Sequence, residues 1–196
     1  MEPNIQTVLD FWFGPEDSPE YGQSRMVWWV QDDAFDVAVE AVLGDLSEAA
    51  KTGAFDNWTE TPMGVLALII LLDQVPRNLC RGSAGAFAHD AVAFGHAESA
   101  VESGMYKQLS GVFRQFLLLP YQHAEDIGAQ EKGVMLFDEL GLAEAASSAR
   151  QHRDIVLKFG RFPHRNNVLG RASTPEELAF LDDPDRPQFS GGSVKT

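Results

Sequence analysis

Two stretches of the chain place a rigid proline turn just ahead of a guanidinium and an amide. One is Val75-Pro76-Arg77-Asn78 with Arg81; the other is Phe162-Pro163-His164-Arg165-Asn166, flanked by Arg161 and Arg171. Arginine presents a planar fork of donors that suits a carboxylate or a phosphate, and asparagine adds directed hydrogen bonds. A third polar knot, Tyr121-Gln122-His123-Ala124-Glu125-Asp126, follows the apolar run Phe113–Leu119. If the three meet, they surround a small cleft that binds a small anion and moves protons. The expected ligand-binding residues are Arg77, Asn78, Arg81, Arg161, Arg165 and Asn166. His123 or His164 is the expected proton donor or acceptor, aided by Glu125. The residues do not say whether the ligand is only held or also transformed.

Plainer readings compete with this one. Arg77 pairs with Asp73 at helical spacing. Glu125 and Asp126 fall in a first helical turn, where negative charge is favoured without any function. Arg165 and Asn166 satisfy carbonyls left over at helix ends. His152 sits on an apolar stripe and reads as a hydrogen-bonded core histidine. His89 and His96 read as surface or packing residues, and Trp12, Trp28, Trp29 and Trp58 as core. No metal site is expected: the candidates His123, Glu125, Asp126, His152 and His164 form no HExxH pattern, and nearby arginines repel a cation. Gly82-Ser83-Ala84-Gly85 lacks the lysine and preceding strand of a phosphate loop, and no GxSxG elbow exists. No cofactor is called for.

The charge balance narrows the partners. The 196 residues carry a formal net charge of −14, which argues against nucleic acid as a partner. The charge is uneven. Residues 1–100 hold four Lys/Arg against sixteen Asp/Glu, whereas residues 150–171 hold six against Asp154 alone. A basic segment in an acidic chain either pairs with the chain's own carboxylates or binds an anion. The lone Cys80 excludes an internal disulfide and fits a reducing compartment. No secretory signal or membrane-spanning run is visible, so a cytoplasmic protein is expected, without membrane contact. The oligomeric state has no signature.

The elements that must position these residues are helical. Val65–Leu72 is eight apolar residues in a row, which requires burial on every side, and it follows Thr61-Pro62, a capping hydroxyl with proline at the first position. Pro76 should kink or stop that helix near Gln74. Asn4 is expected to cap a first helix through Ile5, Val8, Leu9 and Trp12. Asp32 or Asp33 should cap a helix running to about Lys51, with Gly53 as its C′ residue. Further helices are expected over about Ala84–Val101, Phe113–Leu119 (halted by Pro120), His123–Leu140 and Glu144–Phe159. Thr174-Pro175-Glu176-Glu177 is a capping box. Phe189–Thr196 reads as a loose tail. These signals give an all-α fold of antiparallel helical hairpins in a single domain over residues 1–196, with its core at about 4–182.

The stretches LALIILLDQVPRNLCRG, AFAHDAVAFGHA, LLLPYQHAED and HRDIVLKFGRFPHRNNVLGRASTPEELAFL, with VLDFWFG and VWW near the start, resemble the bacterial domain of unknown function 924 family. The resemblance runs from about Ile5 to Leu181. It implies a compact tetratricopeptide-repeat-like right-handed superhelix and no established activity. The family's recurrent positions fall on Asp73, Gln74, Pro76, Arg77, Asn78, Arg81, His123, Glu125, His152, Gly160, Arg161, Phe162, Pro163, His164, Arg165, Asn166, Gly170 and Arg171. Ala124 stands where the family usually has serine, which removes that hydroxyl from any scheme. A fold of this kind also admits a second function, a scaffold whose groove takes a protein partner while the polar cluster serves only the fold.

Overall fold

Val65–Leu72 lies inside the protein, each residue 3% exposed or less. In this computed structural model, which describes residues 2–187, the run forms α3 (Pro62–Ile69) and the start of a π-turn (Ile70–Gln74) that leads into α4 (Val75–Leu79). Around it stand α1 (Pro3–Phe13), α2 (Asp33–Lys51), α5 (Asp90–Glu102), α6 (Gly111–His123), α7 (Ile127–Leu140), α8 (Ala143–Phe159) and α9 (Pro175–Asp182), joined by short 3-10 turns. No strand occurs among the described residues, so the protein is all-α. α3 packs against α1, α5 and α6; α2 packs against α4 and the π-turn; α6, α7 and α8 pack in succession. One apolar cluster runs from Ile5 to Ala149, and a smaller one joins Ile155, Val156 and Phe162. No described helix is long and apolar enough to cross a membrane.

Most starts follow their local signals. The Asp32 carboxylate accepts from the Phe35 amide at 2.9 Å, and Thr61 Oγ1 from Gly64 N at 3.1 Å. Thr174 and Glu177 form the reciprocal capping box. Gly53 takes the left-handed conformation just past α2, with φ +81°. At α1 the expectation fails by two residues, the N-cap position being Glu2 and not Asn4. The helix begins at Pro3, whose fixed φ and missing amide hydrogen suit a first position, so Asn4 lies inside it.

Three departures bear on function. Pro76 does not stop the central helix. The chain widens to a π-turn, in which Val75 N–H reaches back five residues to Ile70 O, and then continues. Ser47, fully buried on α2, donates to the Leu71 carbonyl at 2.8 Å, and the Arg77 guanidinium donates to the Asp73 carbonyl. Polar groups freed by the wider turn thus find partners, and burial of its apolar residues holds the turn in place. Pro120 likewise lies within α6, whose burial from Phe116 to Gln122 outweighs a proline's cost of ~3 kcal/mol. His123 therefore closes α6, while α7 opens afresh with Asp126 accepting from Ala129 N. Finally, Ala84–Phe87 is a separate 3-10 turn, so α5 begins at Asp90. The tail expected at Phe189–Thr196 lies outside the described residues.

Candidate functional site

A cavity of about 530 Å³ opens between the π-turn, α6, the start of α8 and the Pro163–Arg165 turn. Its lining mixes polar side chains, Gln74, Arg77, Gln122, His123, Ser148, His152, His164 and Arg165 with Ser24, Gln115 and Glu144, and apolar ones, Trp28, Trp29, Phe87, Leu119, Leu142, Ala143 and Ala145. This size and this mixture suit a small molecule.

The polar side is built from behind by two aspartates. Asp73, on the π-turn and fully buried, accepts from Gln74 Nε2 at 2.5 Å, lies 3.2 Å from Arg77 Nη1, and accepts from His123 Nδ1 at 2.8 Å. Burial pushes the Asp73 carboxyl up, but Arg77 and His123 overcome that and hold it below the usual carboxylate range. Because a carboxylate only accepts, the His123 proton sits on Nδ1 in this contact and Nε2 carries the lone pair. Burial and Arg77 lower the His123 pKa against the pull of Asp73, so the ring is neutral near pH 7.

Asp90, the first residue of α5, joins the two proline corners. Its Oδ2 accepts from Arg77 Nη2 at 2.9 Å and from Arg165 Nη1 at 3.1 Å. Both guanidiniums also lie over the Phe87 ring, at 5.6 and 4.4 Å, and Arg165 has Phe162 on its other side at 4.6 Å. Burial lowers the Arg165 pKa to about 10 even with Asp90 beside it, so it stays charged near neutrality. His152 and His164 complete the wall. Burial, reinforced by neighbouring positive charge, lowers each to about 3. His152 Nδ1 donates to the Ser148 carbonyl at 2.8 Å. The rings of His123 and His152 meet edge-on at 6.3 Å.

Arg77, His123, His164 and Arg165 thus reach one cavity. The other residues singled out from the sequence are engaged elsewhere. Asn78 and Arg81 both bind Asp36 of α2, at 2.7 to 2.8 Å. Arg161 forms a two-point pair with Glu177 at 2.7 and 2.9 Å, and Asn166 reaches the same carboxylate at 3.3 Å. Glu125 does not approach His123. It accepts from both Nη atoms of Arg171 at 2.5 and 2.9 Å and from Phe162 N at 2.7 Å. These pairs bind the basic connector to the link ahead of α7 and to α9, which accounts for much of the charge asymmetry. A turn is the cause: Gly160 at φ +70° and the 3-10 turn Pro163–Arg165 send Arg161 and Arg165 in different directions.

Sequence reasoning passed over Asp90, and it read His152 and Trp29 as core. His152 is 7% exposed, and it lines the cavity; Trp28 is buried but faces it too, and Trp29 is 37% exposed there. Asp73 entered as a helical partner of Arg77 and as a recurrent position of the resembled family, without a role at the site, although its position ahead of Pro76 was a usable signal. Among the described residues no group of three or more His, Cys, Asp or Glu has the arrangement of a metal site.

An all-helical protein with an arginine–histidine cavity, backed by two aspartates, is the class that fold and site define. Residues 8–185 match the family described as bacterial protein of unknown function (DUF924), and the chain belongs to that family. It is also similar to the solved structure of ATU0120, a protein of unknown function from Agrobacterium tumefaciens. Identity is 39%, the TM-score is 0.80, and the match covers 91% of this chain and 96% of that one. No curated protein matches the chain.

Proposed function

We propose that the cavity binds a small anionic molecule beside Arg77 and Arg165 and transfers a proton to or from it through His123. One observation carries this reading. His123 lines the cavity with Nδ1 tied to the fully buried Asp73, and among the described residues Nε2 has no hydrogen-bond partner. An aspartate behind a neutral imidazole fixes the tautomer, orients the ring and stabilises the imidazolium that forms when Nε2 takes a proton. The guanidiniums supply charge that attracts the anion and steadies negative charge developing on it. Asp73 takes over the supporting role first considered for Glu125, and His164 stands by as a second polar wall.

A thermal-shift screen of phosphorylated and carboxylated metabolites tests the proposal. A stabilising anion should lose its effect in Arg165→Met. His123→Asn should retain binding and lose any proton exchange on the bound molecule. Absence of stabilisation by every anion, at concentrations that saturate a weak site, overturns it.

A further inference from the structure

The guanidiniums of the two proline corners differ in how completely they are used. On an arginine, Nε–H and Nη2–H share one edge, and that edge grips a carboxylate at two points. Arg81 fills its edge with Asp36, and Arg161 fills its own with Glu177. Arg171 places both Nη atoms on Glu125. Arg165 differs. Only Nη1 is engaged, on Asp90, and among the described residues neither Nε nor Nη2 has an acceptor. The side chain is 7% exposed, lines the cavity, and is fixed between the Phe87 and Phe162 rings. A buried charge with two idle donors is costly, and a ligand that engages them recovers that cost.

Resting on the function proposed above, we infer that the ligand is an amphiphilic monocarboxylate, its carboxylate on the Nε/Nη2 edge of Arg165 and an aryl or branched alkyl body against Trp28, Trp29 and Leu142. Charge selects a monoanion. Arg77 and Arg165 are already paired with Asp73 and Asp90, so the one unengaged edge of Arg165 holds a single carboxylate, and the second charge of a phosphate monoester meets only the repulsion of those two aspartates. Shape selects a planar head for the planar fork. The apolar side chains in the lining, Trp28, Trp29 and Leu142 among them, select a body that a bare anion lacks. Nη2 is the donor reached first; the second carboxylate oxygen then approaches Nε, which is buried.

The test is calorimetric titration at neutral pH with phenylpropionate, its neutral carboxamide, acetate and inorganic phosphate, against wild type, Arg165→Met and Leu142→Asp. Leu142 occupies the N-cap position of α8 with no side-chain cap, so aspartate there improves the helix start while placing a charge on the apolar wall. Phenylpropionate should bind, with the carboxamide and acetate each weaker by about tenfold or more, the scale of one charge-assisted contact or one buried ring. Leu142→Asp should weaken it by about tenfold at an unchanged or higher melting temperature. If acetate or phosphate binds as tightly as phenylpropionate and Arg165→Met abolishes it, the amphiphile is wrong and the anion site stands. Equal binding of the carboxamide removes Arg165 as the anchor. Failure of all three anions to bind overturns this inference, while the proposed function falls only if the thermal-shift screen also finds no stabilising anion. Should Arg165→Met fail to fold, Leu142→Asp and the carboxylate–carboxamide comparison decide alone.

Discussion

Arg77 and Arg165 donate to the same oxygen of Asp90, at 2.9 and 3.1 Å. Two buried guanidiniums this close repel each other, and one carboxylate with a shared aromatic face, Phe87, holds them together. The arrangement joins the end of the central helix to the basic connector and fixes both arginines at the cavity.

Asp90→Asn should therefore be severe. It keeps the shape and one acceptor oxygen but removes the carboxylate paired with Arg165 and leaves Arg77 with Asp73 alone. Breaking one side of a buried ion pair costs roughly 3–5 kcal/mol, which in a chain of this size lowers the melting temperature by roughly 10 °C. Thermal denaturation checks this, and a fall of only a degree or two would mean that water, not Asp90, screens the pair.

The histidines predict a pH profile. His123, His152 and His164 all have folded pKa values lowered below the unfolded value of ~6.5, the last two to about 3. Below pH ~6.5 the unfolded chain binds protons that the folded chain refuses, so stability falls as pH drops and is fully present only above that value. By pH ~5 each of the two deepest histidines should cost on the order of 2 kcal/mol. The lowered carboxylates Asp36, Asp73, Glu125 and Glu177 lose their contribution only at lower pH, as pH falls below the unfolded carboxylate range. Melting curves from pH 8 to 5 should thus decline before any carboxylate titrates, and His152→Asn should flatten the decline.

Substitutions around the central helix should separate packing from hydrogen bonding. A Cβ on Gly64 would strike the Trp58 carbonyl and Thr61 Oγ1, both fixed by the turn that starts α3, so Gly64→Ala should destabilise by about 3 kcal/mol or more. Ser47→Ala removes the partner of the Leu71 carbonyl, costing about 1–3 kcal/mol. Denaturant unfolding measures both. If Ser47→Ala costs nothing, the π-turn does not depend on that bond.

Glu125→Gln should act at a distance. It removes the charge that pairs with Arg171 and one of the two oxygens that accept from Arg171 and Phe162 N, and Phe162 is one of the two rings that fix Arg165. A stability loss of about 1–3 kcal/mol is expected, with weaker binding of any anion that depends on Arg165. A double-mutant cycle with Arg171→Gln isolates the pair. Additive single effects would show that the two residues do not act as a unit.

Local signals carried much of the fold. Asp32, Thr61-Pro62 and the Thr174–Glu177 box sit where their side chains cap helices, because capping is settled within a few residues. The distortion expected near Gln74 is there, but a stop at Pro76 and the halt at Pro120 were misread for the opposite reason. Pro76 and Pro120 break helices in isolation, yet tertiary burial of Ile70–Gln74 and Phe116–Gln122 overrides that cost, and no local pattern reports it. The cavity was half legible. The Pro-Arg pattern pointed to Arg77 and Arg165 but gave equal weight to Arg81 and Arg161, whose partners Asp36 and Glu177 show only in three dimensions. Asp90 was invisible because the helix was expected to start near Ala84, which made it one more polar residue within an alanine-rich helix rather than the first residue of α5.

The contact between Asp90 and Arg165 spans 75 positions of the chain. During synthesis, Arg77, Phe87 and Asp90 leave the ribosome long before the second guanidinium exists. A nascent polypeptide that has not reached Phe162 carries half of the anchor and none of its second ring. Competence to hold a ligand therefore arrives late, with the docking of the basic connector, and a stalled or clipped product lacking that connector would be inert at this site however well its interior had assembled.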